Sequence, residues 1–143
     1  MVSYRVFLYT ITMGVEIMAW IEYNPNPRKN RVGDCAIRAV AKATDQDWET
    51  AYTGLYIKGY SMGDLPSANS VWGAYLRDRG FKRAIVPNTC PDCFTVEDFC
   101  HGNPHGVFVL ALEGHVVTVV DGNYFDSWPS GNEPVLYYWY KEE

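Results

Sequence analysis

Residues 114–128 read GHVVTVVDGNYFDSW, two runs of β-branched and aromatic residues divided by Asp121-Gly122. Valine and threonine are stiff at χ1 and pack well on a pleated surface, so each run favours a strand. Asp-Gly accepts the positive φ angles of a two-residue type I′ turn, whose twist suits a hairpin. With that turn Val120 pairs with Asn123, and counting outward puts Val117 opposite Asp126 and His115 opposite Trp128. Side chains alternate along a strand, so His115 shares a face with Val117 and hence with Asp126 as a diagonal neighbour. A slip of one residue would separate the imidazole and the carboxylate onto opposite faces. The hairpin thus delivers an acid to a histidine, the orienting half of a catalytic triad. A histidine hydrogen-bonded in an ordinary sheet fits the same pattern.

Upstream, residues 33–44 read GDCAIRAVAKAT. Gly33 permits a sharp turn, Asp34 can cap, and Ala36, Ala39, Val40 and Ala43 make an apolar face at helical spacing. Cys35 therefore falls in the first turn of a helix, where unpaired N–H groups and the helix dipole favour an anion and lower a thiol's pKa. A buried structural cysteine at a helix start is the competing reading. Asp34, beside the thiol, opposes the helix, and His115 must outweigh it.

A second helix is expected over residues 47–57, with Trp48, Ala51, Tyr52 and Leu55 inward. A third is capped by Ser67 or Asn69, carries Val71, Trp72, Tyr75 and Leu76 inward, and stops at Gly80. Residues 81–86 read as a short strand. Thr95-Val96-Glu97-Asp98 opens a short helix through a capping box with Asp in place of Glu. Strands are expected over 107–112, 115–120, 123–128 and 135–141. Helices followed by an antiparallel sheet make an α+β fold. Trp48, Trp72, Trp128 and Trp139 fall on apolar faces and are expected in the core. Arg38 reads as a surface residue or a partner in an intrahelical salt bridge.

At 143 residues, 48% of them hydrophobic, the chain can build one sizeable core. A net charge of −5 without a basic face argues against nucleic acid as a partner. The apolar stretch 6–20 is short and carries Glu16, so neither a membrane span nor a secretion signal is expected, and a reduced cytoplasm is the expected setting. Residues 1–17 read in two ways. Alternation at Tyr4, Val6, Leu8 and Thr10 suits an extra strand. Alternatively, the codons for residues 14–16 could be a translated ribosome-binding site, with the native start at Met18 and one domain over 18–143. Residues 23–32, with two Asn-Pro steps, read as an extended, exposed lead-in.

Taken together, GDCAIRAVAKATDQDW and GHVVTVVDGNYFDSW resemble a group of small papain-like cysteine peptidase-fold proteins of bacteriophages and prophages. In that group a DC-x-x-R-A helix carries the cysteine, a GH strand the histidine, and D-S-W or D-T-W ends the next strand. The segment 90–106, beginning CPDCFTVEDFC, is similar to that group as well, and the Cys-led helix is similar in style to ovarian-tumour-type deubiquitinases. The resemblance runs from about Tyr23 to the C-terminus. It implies a papain-like domain whose N-terminal helices, the first led by the catalytic cysteine, pack on a C-terminal antiparallel sheet. It also implies Cys35 as nucleophile, His115 as general base and acid, and Asp126 as its orienter, acting on a peptide or protein in the host cytoplasm without a required cofactor. The chain departs from the pattern at Trp128-Pro129-Ser130, where an acidic residue is expected after the tryptophan. A catalytically silent scaffold that binds a peptide or host protein is the alternative.

Two further features belong to the expectations. The oxyanion of such a reaction needs two donors; the Cys35 backbone N–H is one, and the Asn30 side-chain amide is the candidate for the other. Cys90-x-x-Cys93, with Cys100 and His101, supplies enough ligands for a tetrahedral zinc site. Two loop thiols with Cys100 in the core, or a Cys90–Cys93 disulfide, are the other readings of those residues.

Overall fold

The computed structural model describes residues 20–30 and 32–141. Both readings of residues 1–17 lie outside the described residues. Among those described, six strands form one mixed sheet: β1 (Trp20–Glu22), β2 (Phe81–Ile85), β3 (Val107–Leu112), β4 (His115–Val120), β5 (Asn123–Asp126) and β6 (Tyr137–Lys141). They lie in the order β1-β5-β4-β3-β6-β2. Four helices accompany them: α1 (Cys35–Ala43), α2 (Trp48–Met62), α3 (Asn69–Arg77) and α4 (Val96–Gly102). No described helix is long and apolar enough to cross a membrane.

The α+β class holds, with two corrections to the expected layout. A strand precedes the helices: β1 lies parallel to β5, so the sheet is not wholly antiparallel. The helices also divide between the two faces. Val109, Ala111, Val116 and Trp139 point into a core shared with α1, α2 and α3. Leu110, Leu112, Val117 and Val119 point the other way, into a core with Val96, Phe99 and Cys100 of α4. This is the period-two alternation of a sheet buried on both sides, and it explains why β3 and β4 read as nearly continuous apolar runs. Each large side chain fully buried this way contributes about 1.5–3 kcal/mol of transfer free energy.

The hairpin forms as its turn dictates. Asp121 and Gly122 have φ of 49° and 81°, and Val120 pairs with Asn123, Val119 with Tyr124 and Thr118 with Phe125. Strand β5 ends at Asp126, two residues short of the expected strand. The capping box of α4 is complete: Thr95 Oγ1 accepts from the Asp98 N–H, and the Asp98 carboxylate accepts from the Thr95 N–H. Helix α2 runs five residues beyond the expected end at 57 and stops at Gly63, in the left-handed region with φ 70°. Gly59 does not end it, because the glycine is used for close approach: a Cβ there would lie 2.7 Å from the Asp64 carbonyl oxygen.

Gly73 sets the distance between α3 and the sheet. A Cβ at that position would lie 2.8 Å from Cζ2 of Trp139, whose ring is buried. Gly73→Ala is expected to destabilise the protein by about 1–3 kcal/mol, since overpacking outweighs the roughly 1 kcal/mol gained in helix propensity. Gly102→Ala, with open space around its Cβ, is expected to cost nothing. Urea denaturation of the two variants checks both.

Candidate active site

Cys35 is the first residue of α1, so its N–H is one of those with no partner inside the helix. Asp34 is the N-cap by position, yet its side chain makes no capping bond. Its carboxylate instead accepts from the Arg38 guanidinium through Oδ1 and from the Trp48 indole N–H through Oδ2, at 2.8 Å.

His115 opens β4 and Asp126 closes β5. Their side chains meet as the hairpin register requires, with Nε2 of His115 2.6 Å from Oδ2 of Asp126. The imidazole also lies close enough to Cys35 for each group to act on the other's ionisation. The backbone N–H of Val116 is near enough to the same thiol to favour its ionised form. α1 packs against β4, with Thr118 donating to the Ala39 carbonyl at 2.6 Å, so the first turn of the helix is brought to the end of the sheet where β4 begins. Cys35, His115 and Asp126 therefore lie together at that end of the sheet.

The electrostatics favour an ion pair. Burial opposes ionisation of the Cys35 thiol, but the hydrogen bond and charge of His115, the Val116 N–H and the nearby Arg38 together hold its pKa below the ordinary 9.0. Burial likewise disfavours a charged imidazole, but Asp126 and Cys35 overcome it and raise His115 to about 9. Both shifts favour a thiolate beside an imidazolium, and the two groups titrate as a pair.

Asp126 is 1% exposed and is held on every side. Oδ1 accepts from the Ser127 N–H at 2.7 Å and from Arg38 at 3.5 Å, and Oδ2 accepts from the Ser130 hydroxyl at 2.5 Å besides His115. Its carbonyl oxygen accepts from the Trp20 indole N–H and the Tyr23 N–H, both at 2.9 Å, which is what the short strand β1 contributes to the site. Three residues enter that sequence reasoning missed or placed elsewhere. Ser130 is fully buried, and nothing in the sequence marks it as a donor. Arg38 is buried, and its intrahelical salt bridge to Asp34 is joined by a second contact to Asp126. Trp128 is not a core residue: it is 41% exposed, and its ring packs on His115 at 5.0 Å between centroids. Trp48 is half-buried, and Trp72 and Trp139 are buried as expected.

Two openings flank the lead-in to α1. One is a cleft of about 610 Å³ whose walls include Glu22, Asn24, Asn30, Arg38 and Trp128. The other is a groove of about 320 Å³ beside Asp34, along Trp48, Tyr52 and Tyr56. Asn30 is exposed and borders both, so the structure places it in the wall of the cleft. The lead-in is less exposed than expected, because Asn26 is buried and its side-chain oxygen accepts from the Arg28 N–H at 2.9 Å.

The expected zinc set is not assembled. Cys90 and Cys93 are joined in a disulfide, so neither is a free thiol. Cys100 faces inward from α4, where burial and the charge of Glu97 push its thiol up to about 12, while His101 is on the exposed side of that helix. Among the described residues no group of three or more acidic, cysteine or histidine side chains could hold a metal. The physical reason is that the inward face of α4 is needed for the core, and burying Cys100 there separates it from the loop. Comparison of the chain with protein-family models, with curated proteins and with solved structures finds no match in any of the three.

Proposed function

We propose that this chain is a papain-like cysteine peptidase that hydrolyses amide or isopeptide bonds through Cys35, His115 and Asp126. The observation that carries the reading is the continuous chain of contacts from a helix-start thiol to an imidazole to a buried carboxylate, the last link 2.6 Å long. Support comes also from the opening beside that chain, where a peptide can lie against Trp128 and the lead-in.

In the proposed reaction the Cys35 thiolate attacks the carbonyl carbon and forms a tetrahedral oxyanion, stabilised by the Cys35 N–H and by Asn30. The His115 imidazolium gives its proton to the leaving amine as the C–N bond breaks, which leaves a thioester on Cys35. Neutral His115 then takes a proton from water, the hydroxide attacks the thioester, and release of the acid restores the thiolate and the imidazolium. Asp126 keeps the ring aligned and favours its charged form, and the Trp128 ring packs on the imidazole of that pair.

Incubation with a mixed library of peptides and branched isopeptides, followed by acid quench and intact mass spectrometry, tests this. The expected result is an acyl adduct confined to Cys35, with product release, and loss of both in Cys35→Ala. A protein that retains peptides without adduct or product would instead be a binding scaffold.

A further inference from the structure

Arg38 is the least expected occupant of the interior. Its side chain is 10% exposed and lies between two carboxylates from different layers, Asp34 at the start of its own helix and Asp126 at the end of β5. A guanidinium offers separate N–H groups in a fixed plane, and here Nη1 serves Asp34 while Nη2 reaches Asp126. Asp34 adjoins the nucleophile, so an uncompensated negative charge there would oppose a thiolate. Asp126 needs a fixed orientation if its other oxygen is to meet His115. One cation answers both needs.

We propose that Arg38 is a positioning residue that neutralises Asp34 beside the nucleophile and clamps Asp126 from the side opposite His115. The inference rests on the reading of Cys35 as a nucleophile. The charged groups that act on the sulfur directly are Arg38 from α1 and His115 from β4, and each is paired in turn with a carboxylate: Arg38 with Asp34 at the helix cap and with Asp126 at the end of β5, His115 with Asp126. Tyr23, following β1, is near enough to feel the guanidinium's charge, and α2 contributes the neutral Trp48 indole, which holds the second oxygen of Asp34. With Asp34 held by both Arg38 and Trp48, its charge is spent within the clamp. Arg38 also borders the cleft, so the clamp sits directly behind the surface that a substrate would meet.

The test is the pH dependence of Cys35 alkylation by iodoacetamide, followed by mass spectrometry, in the full chain. Arg38→Gln leaves Asp34 uncompensated, and the midpoint for Cys35 is expected to rise by about one pH unit. Arg38→Lys keeps the charge but loses the fork, and is expected to recover most of that rise. Asp34→Asn/Arg38→Gln removes acid and base together and is expected to return the midpoint to within a few tenths of a unit of the unaltered protein. A residue needed for packing alone would lower the melting temperature in Arg38→Gln and leave the midpoint where it was. Should Arg38→Gln fail to fold, Asp34→Asn gives the complementary reading: the midpoint is expected to fall, and an unchanged midpoint overturns the proposal. A low midpoint in the unaltered protein that Arg38→Gln does not move overturns the clamp and leaves the nucleophile standing. An ordinary thiol midpoint in the unaltered protein overturns both.

Discussion

At pH 6.5, iodoacetamide is expected to alkylate Cys35 at least about tenfold faster in the intact protein than in its His115→Ala variant. Without the imidazole, burial is opposed only by the Val116 N–H and Arg38, and the thiol moves back toward its ordinary value of 9.0. A thiol with that value is roughly 0.3% ionised at pH 6.5, so loss of the pair removes most of the reactive species. A more basic thiolate is intrinsically the better nucleophile, which offsets part of the deficit and keeps the expected ratio well below that set by ionisation alone. The advantage vanishes at high pH, where both forms are thiolate. Cys100 is an internal control, because its buried thiol, raised to about 12, stays protonated throughout. Equal rates for the two proteins at pH 6.5 would show that no ion pair forms, and the nucleophilic reading would fall with it. The sign of the pH profile follows from the same two groups. Turnover is expected to rise as Cys35 ionises, below its ordinary value, and to decline as His115 loses its proton near pH 9.

Asp126→Ala is expected to destabilise the folded protein by about 3–5 kcal/mol, as removal of one partner from a buried charged network does. The carboxylate accepts from His115, Arg38, Ser127 and Ser130, and truncation leaves a buried guanidinium and a protonated imidazole facing a vacancy. Asp126→Asn keeps the shape and one acceptor oxygen but loses the charge, so a smaller stability loss is expected. In that variant the ring loses the carboxylate and keeps only Cys35 to favour its proton, so the alkaline limb of the activity profile should move below 9. Urea denaturation measures the first effect and the pH profile the second. A loss under about 1 kcal/mol for Asp126→Ala would show that the network does not hold the carboxylate in solution.

The parts of this site that were legible in the sequence are those set by local stereochemistry. Asp121-Gly122 selects its own turn, the turn sets the register, and the register alone decides that His115 and Asp126 share a face. The cap of α4 and the placement of Cys35 in the first turn of α1 are legible for the same reason: each depends on residues within a few positions of one another. The resemblance in the two motifs added roles to those positions without adding geometry.

What could not be read depends on contacts between distant segments. Trp20 donates to the Asp126 carbonyl across 106 residues, and a three-residue parallel edge strand leaves no periodic trace of its own. Alternation predicts that Trp128 follows the strand inward, but β5 ends at Asp126 because the next N–H turns back to that carboxylate. Trp128 is thereby released to cover His115, and the chain folds over to bury Ser130 against the same acid. Arg38 looked like a surface residue because, apart from an intrahelical salt bridge to Asp34, helical spacing cannot show that the end of β5 approaches that side of α1.

By itself the sequence determined the hairpin, its register, the helix that presents Cys35 and the pairing of His115 with Asp126. Each follows from backbone dihedral preferences and side-chain periodicity, which act over a few residues. Only the tertiary structure decided that the thiol meets the imidazole, that Arg38 and Ser130 complete the surroundings of Asp126, and that Cys100 is sequestered from the Cys90–Cys93 loop. Those outcomes depend on how two layers of helices close over a sheet, a matter of burial and charge compensation among residues that no local rule brings together.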